Sequence, residues 1–354
     1  MKKIRVAVNG GGRIGRAFVK LAHERPEIDI VALNDLSNIE NIAYLLKYDS
    51  VYGKAPFSVE VSEDKKSLIL GAEDKKGSKQ EEIVFLSEKD PAKLPWGALD
   101  VDVVVEATGI FTSFAGSKVH LDAGAKRVVI TAPAKDDPEA AGVSGATVLL
   151  AINEEKLEKC DISSNASCTT NAGSPLMAIL HEAIGIEKAI LNTVHGYTAS
   201  QALVDGISKK DFREGRAAAQ NIVPSSTGAA IAVTKALPEL SGKFDGISIR
   251  VPVVCGSIAD ITFISKRDTT VEEVNEILTK AAATERWSKV FTVTTDQIVS
   301  SDIIGASHAS IADLSFTRVV GGNLVKVLAW YDNEMGYTNT LVEHVIKSGG
   351  FVGK

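Results

Sequence analysis

One cysteine, Cys168, stands in a setting that could make its thiol reactive. It lies in the stretch SSNASCTTNAGSP, residues 163–175, between a predicted strand and a predicted helix. A thiol at the N-terminus of a helix faces the positive end of the helix dipole, which favours the thiolate. Cysteines near turns are more often small buried residues, and Cys160 and Cys255, which have no such polar surroundings, are interpreted in that way.

A catalytic thiol needs a base, and His195 is the best candidate among the six histidines. It ends the strand-like run ILNTVHG at a glycine, where a side chain can emerge at the edge of a sheet. His308 falls in a predicted loop. For the other four we expect solvated faces of helices: His23, His120, His181 and His344.

Residues that could bind anions follow in the second half of the chain. Arg213 and Arg216 lie in DFREGR, Thr227 and Gly228 precede a predicted helix, and Arg250 lies on the predicted strand ISIRVP. Arginine binds phosphate oxygens in a bidentate manner, and a helix start offers backbone N–H groups. Each residue alone also fits a surface or interface position, but together with a thiol they indicate a phosphorylated substrate.

A glycine pattern near the N-terminus predicts a dinucleotide site. Gly10, Gly12 and Gly15 form G-x-G-x-x-G between a predicted strand and a predicted helix, where N–H groups can face a pyrophosphate. Asp35 ends the next predicted strand, and an acidic side chain there can bind a ribose 2′-hydroxyl and repel a 2′-phosphate. The pattern therefore favours NAD over NADP.

Two different patterns of predicted secondary structure, one in each half of the chain, must position these residues. In the first half, short β-branched runs alternate with helix-like stretches, which is typical of parallel βαβ units. After Cys168, longer strand-like runs with wider connections predict an antiparallel or mixed sheet, with a helix over residues 270–287 capped by Thr270. A further helix is predicted at the C-terminus, ending at Gly349. We place the boundary near residue 165.

Composition excludes several classes of protein. The 354 residues favour two domains, and 45% hydrophobic with 24% charged residues is ordinary for a globular protein. A net charge of -6 argues against a general nucleic-acid binder. Three cysteines without metal-ligand spacing indicate a reducing, cytosolic setting and no metal site. The start lacks the apolar core of a signal peptide, and no apolar run is long enough for a membrane span.

These motifs together resemble the phosphorylating glyceraldehyde-3-phosphate dehydrogenase family, in the family's order and over nearly the whole chain. The stretches that carry the resemblance are VNGGGRIGR, VALNDL, LLKYDSVYGK, EATGIF, GAKRVVITAP, SNASCTTN, QNIVPSSTGAA, IRVPV and WYDNEMGY. The resemblance implies an α/β fold. An N-terminal Rossmann parallel sheet has helices on both faces, and an α+β catalytic domain has a mostly antiparallel or mixed sheet.

The resemblance also implies roles for individual residues. Cys168 is the nucleophile and His195 its base, while Thr198 and Arg250 hold the substrate phosphate. Further substrate and inorganic-phosphate ligands are Ser167, Thr169, Arg213, Thr227 and Gly228. NAD is the implied cofactor, contacted by Gly10, Gly12, Arg13, Ile14, Gly15, Asp35, Lys89, Thr131 and Asn333, with Tyr337 near the nicotinamide end.

On this resemblance, residues 1–166 form the NAD-binding domain, completed by the C-terminal helix 337–354, and residues 167–336 form the catalytic domain. It further implies a cytoplasmic homotetramer, with the stretch from about 196 to 220 at a subunit interface near the cofactor. Its partners are then glyceraldehyde 3-phosphate and inorganic phosphate, with no membrane or nucleic acid.

Several positions depart from the family's pattern. Gly11 replaces the usual aromatic residue of the glycine loop, which should loosen that turn, and Lys89 stands where arginine is usual. The remaining departures are Ala172, Ala202, Val253, Cys255 and the pair Gly206-Ile207. They leave the strictness of the NAD preference and the shape of the substrate pocket open, but they spare the thiol, the base and the phosphate ligands.

The implied reaction is NAD-dependent oxidation of D-glyceraldehyde 3-phosphate to 1,3-bisphosphoglycerate through a thiohemiacetal and a thioester on the cysteine, in glycolysis or gluconeogenesis. An erythrose-4-phosphate dehydrogenase is the alternative, although VHGYTASQALVDG and KKDFREGRAAAQ are more similar to the glyceraldehyde-3-phosphate enzymes. Semialdehyde dehydrogenases lack the full motif series. From another class, a non-catalytic NAD-binding regulatory protein would have no need of Cys168, His195, Arg213 and Arg250.

Overall fold

The chain divides into two compact units, each with its own sheet. The computed structural model describes three ranges of the chain: residues 3–71, 80–209 and 211–353. The first unit comprises residues 1–148, 154–166 and 341–354. The second comprises residues 149–153 and 167–340.

Helices and strands alternate along most of the described chain. The helices are α1 (Arg13–His23), α2 (Ile39–Lys47), α3 (Phe114–Asp122), α4 (Pro138–Ala141), α5 (Cys168–Ile184), α6 (Ala229–Ala236), α7 (Val271–Ala282) and α8 (Met335–Gly349). The first eleven strands are β1 (Ile4–Asn9), β2 (Ile28–Asn34), β3 (Tyr48–Asp49), β4 (Gly53–Lys54), β5 (Ser58–Val61), β6 (Ser67–Gly71), β7 (Glu81–Leu86), β8 (Val103–Glu106), β9 (Arg127–Ile130), β10 (Gly145–Thr147) and β11 (Ile162–Ser164). The others are β12 (Ile186–Gly196), β13 (Val223–Ser226), β14 (Phe244–Val251), β15 (Ser257–Ser265), β16 (Phe291–Thr294), β17 (Ser310–Asp313), β18 (Arg318–Val320) and β19 (Leu324–Tyr331).

The first unit is built on a nine-stranded sheet in the order β10-β11-β9-β8-β1-β2-β7-β6-β5. Neighbours from β10 to β7 are parallel, and β6 and β5 extend the sheet in antiparallel fashion. Because β2 and β8 flank β1, the strand order reverses there, and the crevice beyond the carboxyl ends of such strands is where ligands bind. The parallel core confirms the predicted α/β class.

Strand β8 explains why the strands of the first unit appear in the sequence as unbroken apolar runs. Val103, Val104 and Val105 are all fully buried although consecutive residues of a strand point to opposite faces. Both faces of β8 are therefore covered, as expected for a parallel sheet inside an α/β domain.

The second unit contains an eight-stranded sheet whose main path runs β13-β14-β12-β15-β19-β17-β16, with β18 paired to β19. Most neighbours are antiparallel, while β12 with β14 and β16 with β17 are parallel, so the predicted mixed sheet is confirmed. Burial alternates along β15: Ala259, Ile261 and Phe263 enter a core that α5, α6 and α7 share, and the residues between them are half-buried. One face of this strand thus carries the core.

Local signals predicted the start of α7 well, but its end and the burial of histidines poorly. Thr270 caps α7 by accepting a hydrogen bond from the Glu273 N–H at 3.2 Å, although the helix ends at Ala282, before the predicted residue 287. The expectation of solvated helix faces was wrong for His23, His120 and His344, which are buried. Within the described ranges, no helix is long and apolar enough to cross a membrane.

Candidate active site

Cys168 is the first residue of α5, as the sequence predicted. The preceding Ala166 has a left-handed backbone, with φ 55°, which L-residues rarely adopt outside tight turns. The turn is held by the Asn165 N–H, which donates to the Ile130 carbonyl at 3.0 Å, and by the Ser167 hydroxyl, which accepts from the Thr170 N–H at 3.1 Å. This arrangement places the thiol at the N-terminus of a long buried helix.

His195 lies beside the thiol, so the structure brings the predicted nucleophile and base together. The distance between Cys168 Sγ and His195 Nε2 is 3.4 Å, within hydrogen-bonding range for sulfur. Strand β12 carries His195 and pairs in parallel with β14, where Arg250 is the register partner of His195. The sheet therefore fixes the histidine and the arginine side by side.

Two groups compete for the other ring nitrogen of His195. The Gly196 carbonyl oxygen and Arg250 Nη1 both lie 2.6 Å from His195 Nδ1. A carbonyl only accepts and a guanidinium only donates, whereas a single ring nitrogen can do one or the other. With the proton on Nδ1, Nε2 accepts from the thiol; with Arg250 donating to Nδ1, Nε2 carries the proton. The site is thus able to hold either tautomer.

Burial sets the resting charge of the pair. Burial, followed by the Arg250 charge, lowers the pKa of His195 to about 3, against a smaller opposing effect of its bond to the Gly196 carbonyl. Burial also raises the pKa of the Cys168 thiol, and the Arg250 charge only partly offsets this. With the pKa of the thiol raised and that of the imidazole lowered, the resting pair is a thiol and a neutral imidazole. Attack by sulfur therefore requires a proton acceptor at the thiol.

Tyr331 is a site residue to which sequence reasoning gave no role. It is fully buried at the end of β19, and its ring meets that of His195 edge-on, with centroids 5.8 Å apart. Its hydroxyl lies between the hydroxyls of Thr169, at 2.9 Å, and Thr193, at 2.7 Å. Two signals in the sequence could have identified Tyr331: the alternation of buried and less buried positions along β19, and the polar hydroxyl at the end of the tyrosine ring. Thr169, predicted as a substrate ligand, is thereby tied to Tyr331.

Arg250 is a predicted anion ligand that directly contacts His195. Its Nε is buried and has no hydrogen-bond partner among the described residues, while Nη1 is directed at His195. A buried donor without a partner is costly, and an acceptor brought by a ligand would satisfy it. Thr227 and Gly228 come directly before α6, where the Thr227 hydroxyl accepts from the Ala229 N–H at 3.2 Å and Gly228 leaves open space.

Two further predicted ligands lie in an exposed segment and make local contacts. Arg213 forms an ion pair with Asp211 at 2.6 Å, and the Thr198 hydroxyl lies 3.0 Å from the Ser200 hydroxyl. Within the described residues, neither side chain forms a hydrogen bond with Cys168 or His195. An incoming phosphate would have to compete with Asp211 for the guanidinium.

In the first unit, a cavity of about 280 Å³ lies at the carboxyl ends of β1, β2 and β8. Its lining includes Asn9, Gly10, Gly12, Asn34, Asp35, Lys89 and Thr108. A Cβ on Gly15 would lie 1.9 Å from the Gly10 carbonyl oxygen, and one on Gly10 would lie 2.7 Å from the Ala107 carbonyl carbon. Only glycine fits these two positions, and the resulting cradle fits the pyrophosphate of a dinucleotide.

Asp35 borders this cavity with its carboxylate held in place. One oxygen accepts from the Gly11 N–H at 2.7 Å, and the other accepts from the Ser37 N–H and hydroxyl at 2.9 and 2.6 Å. Burial raises the pKa of Asp35, but these hydrogen bonds lower it by more, so the pKa is lowered overall. Ile42 Cδ1 lies 2.8 Å from where a Cβ on Gly11 would stand, so Ile42 fills the space of the missing aromatic.

The other predicted cofactor residues are distributed over both units. Arg13 forms an ion pair with Asp49 at 3.0 Å, Ile14 is half-buried in the first turn of α1, and the Thr131 hydroxyl donates to the Glu106 carbonyl at 2.9 Å. In the second unit, Asn333 accepts from the Gly256 N–H at 3.0 Å and from the Ser257 hydroxyl at 2.9 Å. Tyr337 is buried in α8. Across residues 3–71, 80–209 and 211–353, no group of three or more histidine, cysteine, aspartate or glutamate side chains could hold a metal ion.

Comparison with protein families matches both halves of the chain. A family model described as glyceraldehyde 3-phosphate dehydrogenase, NAD binding domain, matches residues 4–114. A second, described as glyceraldehyde 3-phosphate dehydrogenase, C-terminal domain, matches residues 167–333, which include Cys168, His195 and Arg250.

Curated proteins are similar over nearly the full length. Glyceraldehyde-3-phosphate dehydrogenase 3 of Saccharomyces cerevisiae is 44% identical over 351 residues, which cover 98% of this chain and 100% of the yeast protein. Glyceraldehyde-3-phosphate dehydrogenase of Borreliella burgdorferi is 45% identical over 348 residues, covering 96% of this chain and 98% of the relative. Glyceraldehyde-3-phosphate dehydrogenase 1 of Streptomyces avermitilis is 44% identical over 349 residues, covering 98% of each.

Proposed function

This chain belongs to the glyceraldehyde 3-phosphate dehydrogenase family, and on that premise we propose that it oxidises D-glyceraldehyde 3-phosphate to 1,3-bisphosphoglycerate with NAD and inorganic phosphate. The observation that carries the proposal is the 3.4 Å contact between Cys168 Sγ and His195 Nε2 at the start of α5. A thiol beside a base is the arrangement that covalent aldehyde oxidation needs.

The first step is attack of Cys168 on the aldehyde carbon. As the carbon–sulfur bond forms, His195 Nε2 takes the thiol proton and returns it to the carbonyl oxygen, which gives a thiohemiacetal. The backbone N–H of Cys168 is a candidate donor to that oxygen. The chemistry that NAD would supply, when bound, is acceptance of the hydride that leaves the thiohemiacetal carbon. His195 Nε2 removes the hydroxyl proton, and a thioester remains on Cys168.

The second half of the reaction releases the product. An oxygen of inorganic phosphate attacks the thioester carbon, and the Cys168 sulfur leaves with the electron pair of the carbon–sulfur bond, which gives the acyl phosphate. Two anions therefore occupy the site in turn. We assign Arg250 and Thr198 to the substrate phosphate, which the unsatisfied Arg250 Nε supports. The remaining ligands of the two anions are Ser167, Thr169, Arg213, Thr227 and Gly228.

The cradle fits NAD for two reasons. The glycine loop has no side chains that would keep its backbone from the pyrophosphate, and Asp35 offers an ionised carboxylate to a ribose diol. The proposed ligands are Gly10, Gly12, Arg13, Ile14, Gly15, Asp35, Lys89, Thr131, Asn333 and Tyr337. In functional terms, residues 1–166 with 337–354 form the NAD-binding domain and residues 167–336 the catalytic domain.

Assembly and location extend the proposal. A homotetramer with residues 196–220 at a subunit interface is supported by the exposed apolar side chains of Leu203, Val204, Ile207 and Phe212 in that segment. A cytoplasmic location is consistent with the three cysteines, none of which forms a disulfide.

The test is NADH formation from glyceraldehyde 3-phosphate with and without inorganic phosphate, repeated with erythrose 4-phosphate and with NADP. We expect turnover that needs phosphate, prefers the three-carbon substrate and is much weaker with NADP. Phosphate-independent turnover would contradict the acyl-phosphate step, and a preference for erythrose 4-phosphate would change the substrate. No turnover with NAD binding intact would point to a regulatory protein.

A further inference from the structure

Three side chains form a lateral row beneath the dinucleotide cavity. Asn34, Asn9 and Glu106 are the last residues of β2, β1 and β8, and strand register makes them neighbours. Asn34 Nδ2 donates to Asn9 Oδ1 at 2.8 Å, and Asn9 Nδ2 donates to Glu106 Oε2 at 2.7 Å. We call Asn34, Asn9 and Glu106 the polar row. It joins the carboxyl ends of the three central strands.

Glu106 is buried to 2% exposure and is surrounded by donors. Oε2 accepts from Asn9 and lies 3.0 Å from His120 Nε2, while Oε1 accepts from the Thr108 N–H at 2.9 Å and from the Thr108 hydroxyl. No lysine or arginine of the described ranges forms an ion pair with it. The carboxylate is thus stabilised by hydrogen bonds alone, which is effective only while every donor is in place.

Trp96 fixes the proton of His120. Trp96 Nε1 lies 3.0 Å from His120 Nδ1, and an indole nitrogen can only donate. His120 Nδ1 therefore accepts, so the single proton of the neutral ring is on Nε2 and is donated to Glu106. The donor chain from Trp96 through His120 has one direction, and it orients the carboxylate.

Glu106 in turn orients the cavity wall. The Thr108 hydroxyl donates to Glu106 and accepts from the Ile110 N–H at 3.0 Å, which closes the turn after β8. That turn lies against the glycine loop, because a Cβ on Gly10 would stand 2.7 Å from Thr108 N. Asn9, Thr108 and Ile110 all line the cavity. Moving the carboxylate would therefore move both the floor and one wall.

We propose that Glu106 is a positioning residue for the dinucleotide. Through the polar row and Thr108 it sets the shape of the cavity, and His120 with Trp96 keep it in that orientation. The inference rests on the proposed function only in taking the ligand of the cavity to be NAD.

A matched pair at Thr108 tests the proposal without replacing Glu106 itself. Thr108→Val keeps the shape of the side chain but removes the hydroxyl that donates to Glu106, whereas Thr108→Ser retains it. By calorimetric titration of NAD, we expect Kd to rise at least about tenfold in Thr108→Val and to stay within about twofold in Thr108→Ser. Equal Kd values in the two variants would overturn the proposal.

Glu106→Gln gives the second measurement. The amide group turns one acceptor into a donor against Asn9, His120 or Thr108, so we expect Kd for NAD to rise by more than tenfold while kcat at saturating NAD changes much less. If this variant fails to fold, the Thr108 pair still decides. Unchanged Kd in folded Glu106→Gln would contradict the role of the carboxylate.

Nitrogen-15 spectra of the wild-type protein test the orientation. At neutral pH we expect His120 to carry its proton on Nε2 and to have a bare Nδ1; a proton on Nδ1 would overturn the donor chain. The binding tests are independent of turnover. A wild-type protein that binds NAD with the Thr108 dependence but does not oxidise glyceraldehyde 3-phosphate would refute the proposed function and leave this inference standing.

Discussion

Two buried histidines, one in each unit, are bonded in opposite ways. His120 has one partner for each ring nitrogen, Trp96 on Nδ1 and Glu106 on Nε2. His195 has two partners on Nδ1, the Gly196 carbonyl and the Arg250 guanidinium, which demand opposite roles from it. Its Nε2 faces the thiol of Cys168. The first histidine is locked in one tautomer, and the second is free to change.

This difference in hydrogen-bond partners matches the two roles that we propose, positioning for His120 and proton transfer for His195. A histidine that positions other groups needs a single hydrogen-bond pattern, because any ambiguity would loosen what it holds. A histidine that moves protons must be able to change which ring nitrogen carries the proton, and a nitrogen with both a donor and an acceptor nearby permits this. The roles that we propose for the two histidines thus follow from their different partners.

The largest expected effect comes from removing the thiol that His195 faces. In Cys168→Ser, oxidation of the aldehyde should fall by at least about 10⁴-fold, because a neutral hydroxyl is a far weaker nucleophile. NAD binding should persist, since the dinucleotide cavity lies in the first unit. Rates of NADH formation and NAD titration measure the two properties. Cys160→Ser is the matched control, as burial raises the pKa of that thiol to about 11 and makes it inert. Full activity in Cys168→Ser would refute the covalent scheme.

The next effect compares the two histidines directly. His195→Gln cannot shuttle a proton, so kcat should fall by roughly 10²–10⁴-fold with little change in the Kd for NAD. His120→Gln should show the reverse pattern, a raised Kd with kcat largely retained at saturating NAD. Steady-state kinetics with direct NAD titration distinguishes the two. The same change in kcat and in the Kd for NAD in both variants would contradict the different roles of the two histidines.

The sequence predicted the positions of Cys168 and His195 in the second unit better than the contacts that hold the first unit. Cys168 before a helix and His195 at a strand end were recognisable because local pattern places them at element ends. That Arg250 is the register partner of His195 depends on strand pairing, which sequence spacing does not specify. Tyr331 was missed because its role comes from a contact between distant strands.

Burial of histidine was the clearest failure of local reading. His120 and His344 lie in helix-like stretches with polar neighbours, which predicted solvated faces, yet both are fully buried. Each is accommodated by partners far away in sequence: His120 by Trp96 and Glu106, and His344 by Ser163 and Asn165. The two residues of each bond are at least 14 positions apart, so the residues next to each histidine in the sequence do not reveal its partner.

The smallest expected effect concerns His344, which follows the pattern of His120. Asn165 Oδ1 lies 3.1 Å from Nδ1 and the Ser163 hydroxyl 2.7 Å from Nε2, and burial lowers the pKa of His344 to about 3. Unfolding restores a pKa of about 6.5, so the unfolded chain binds the extra proton between these values. The free energy of unfolding should therefore fall as pH drops through that window, by about 2 kcal/mol from this residue at pH 5. Urea unfolding at pH 7.5 and 5 measures the slope. In His344→Gln, which keeps a donor and an acceptor, the slope should become shallower, and an unchanged slope would show that His344 is not held neutral.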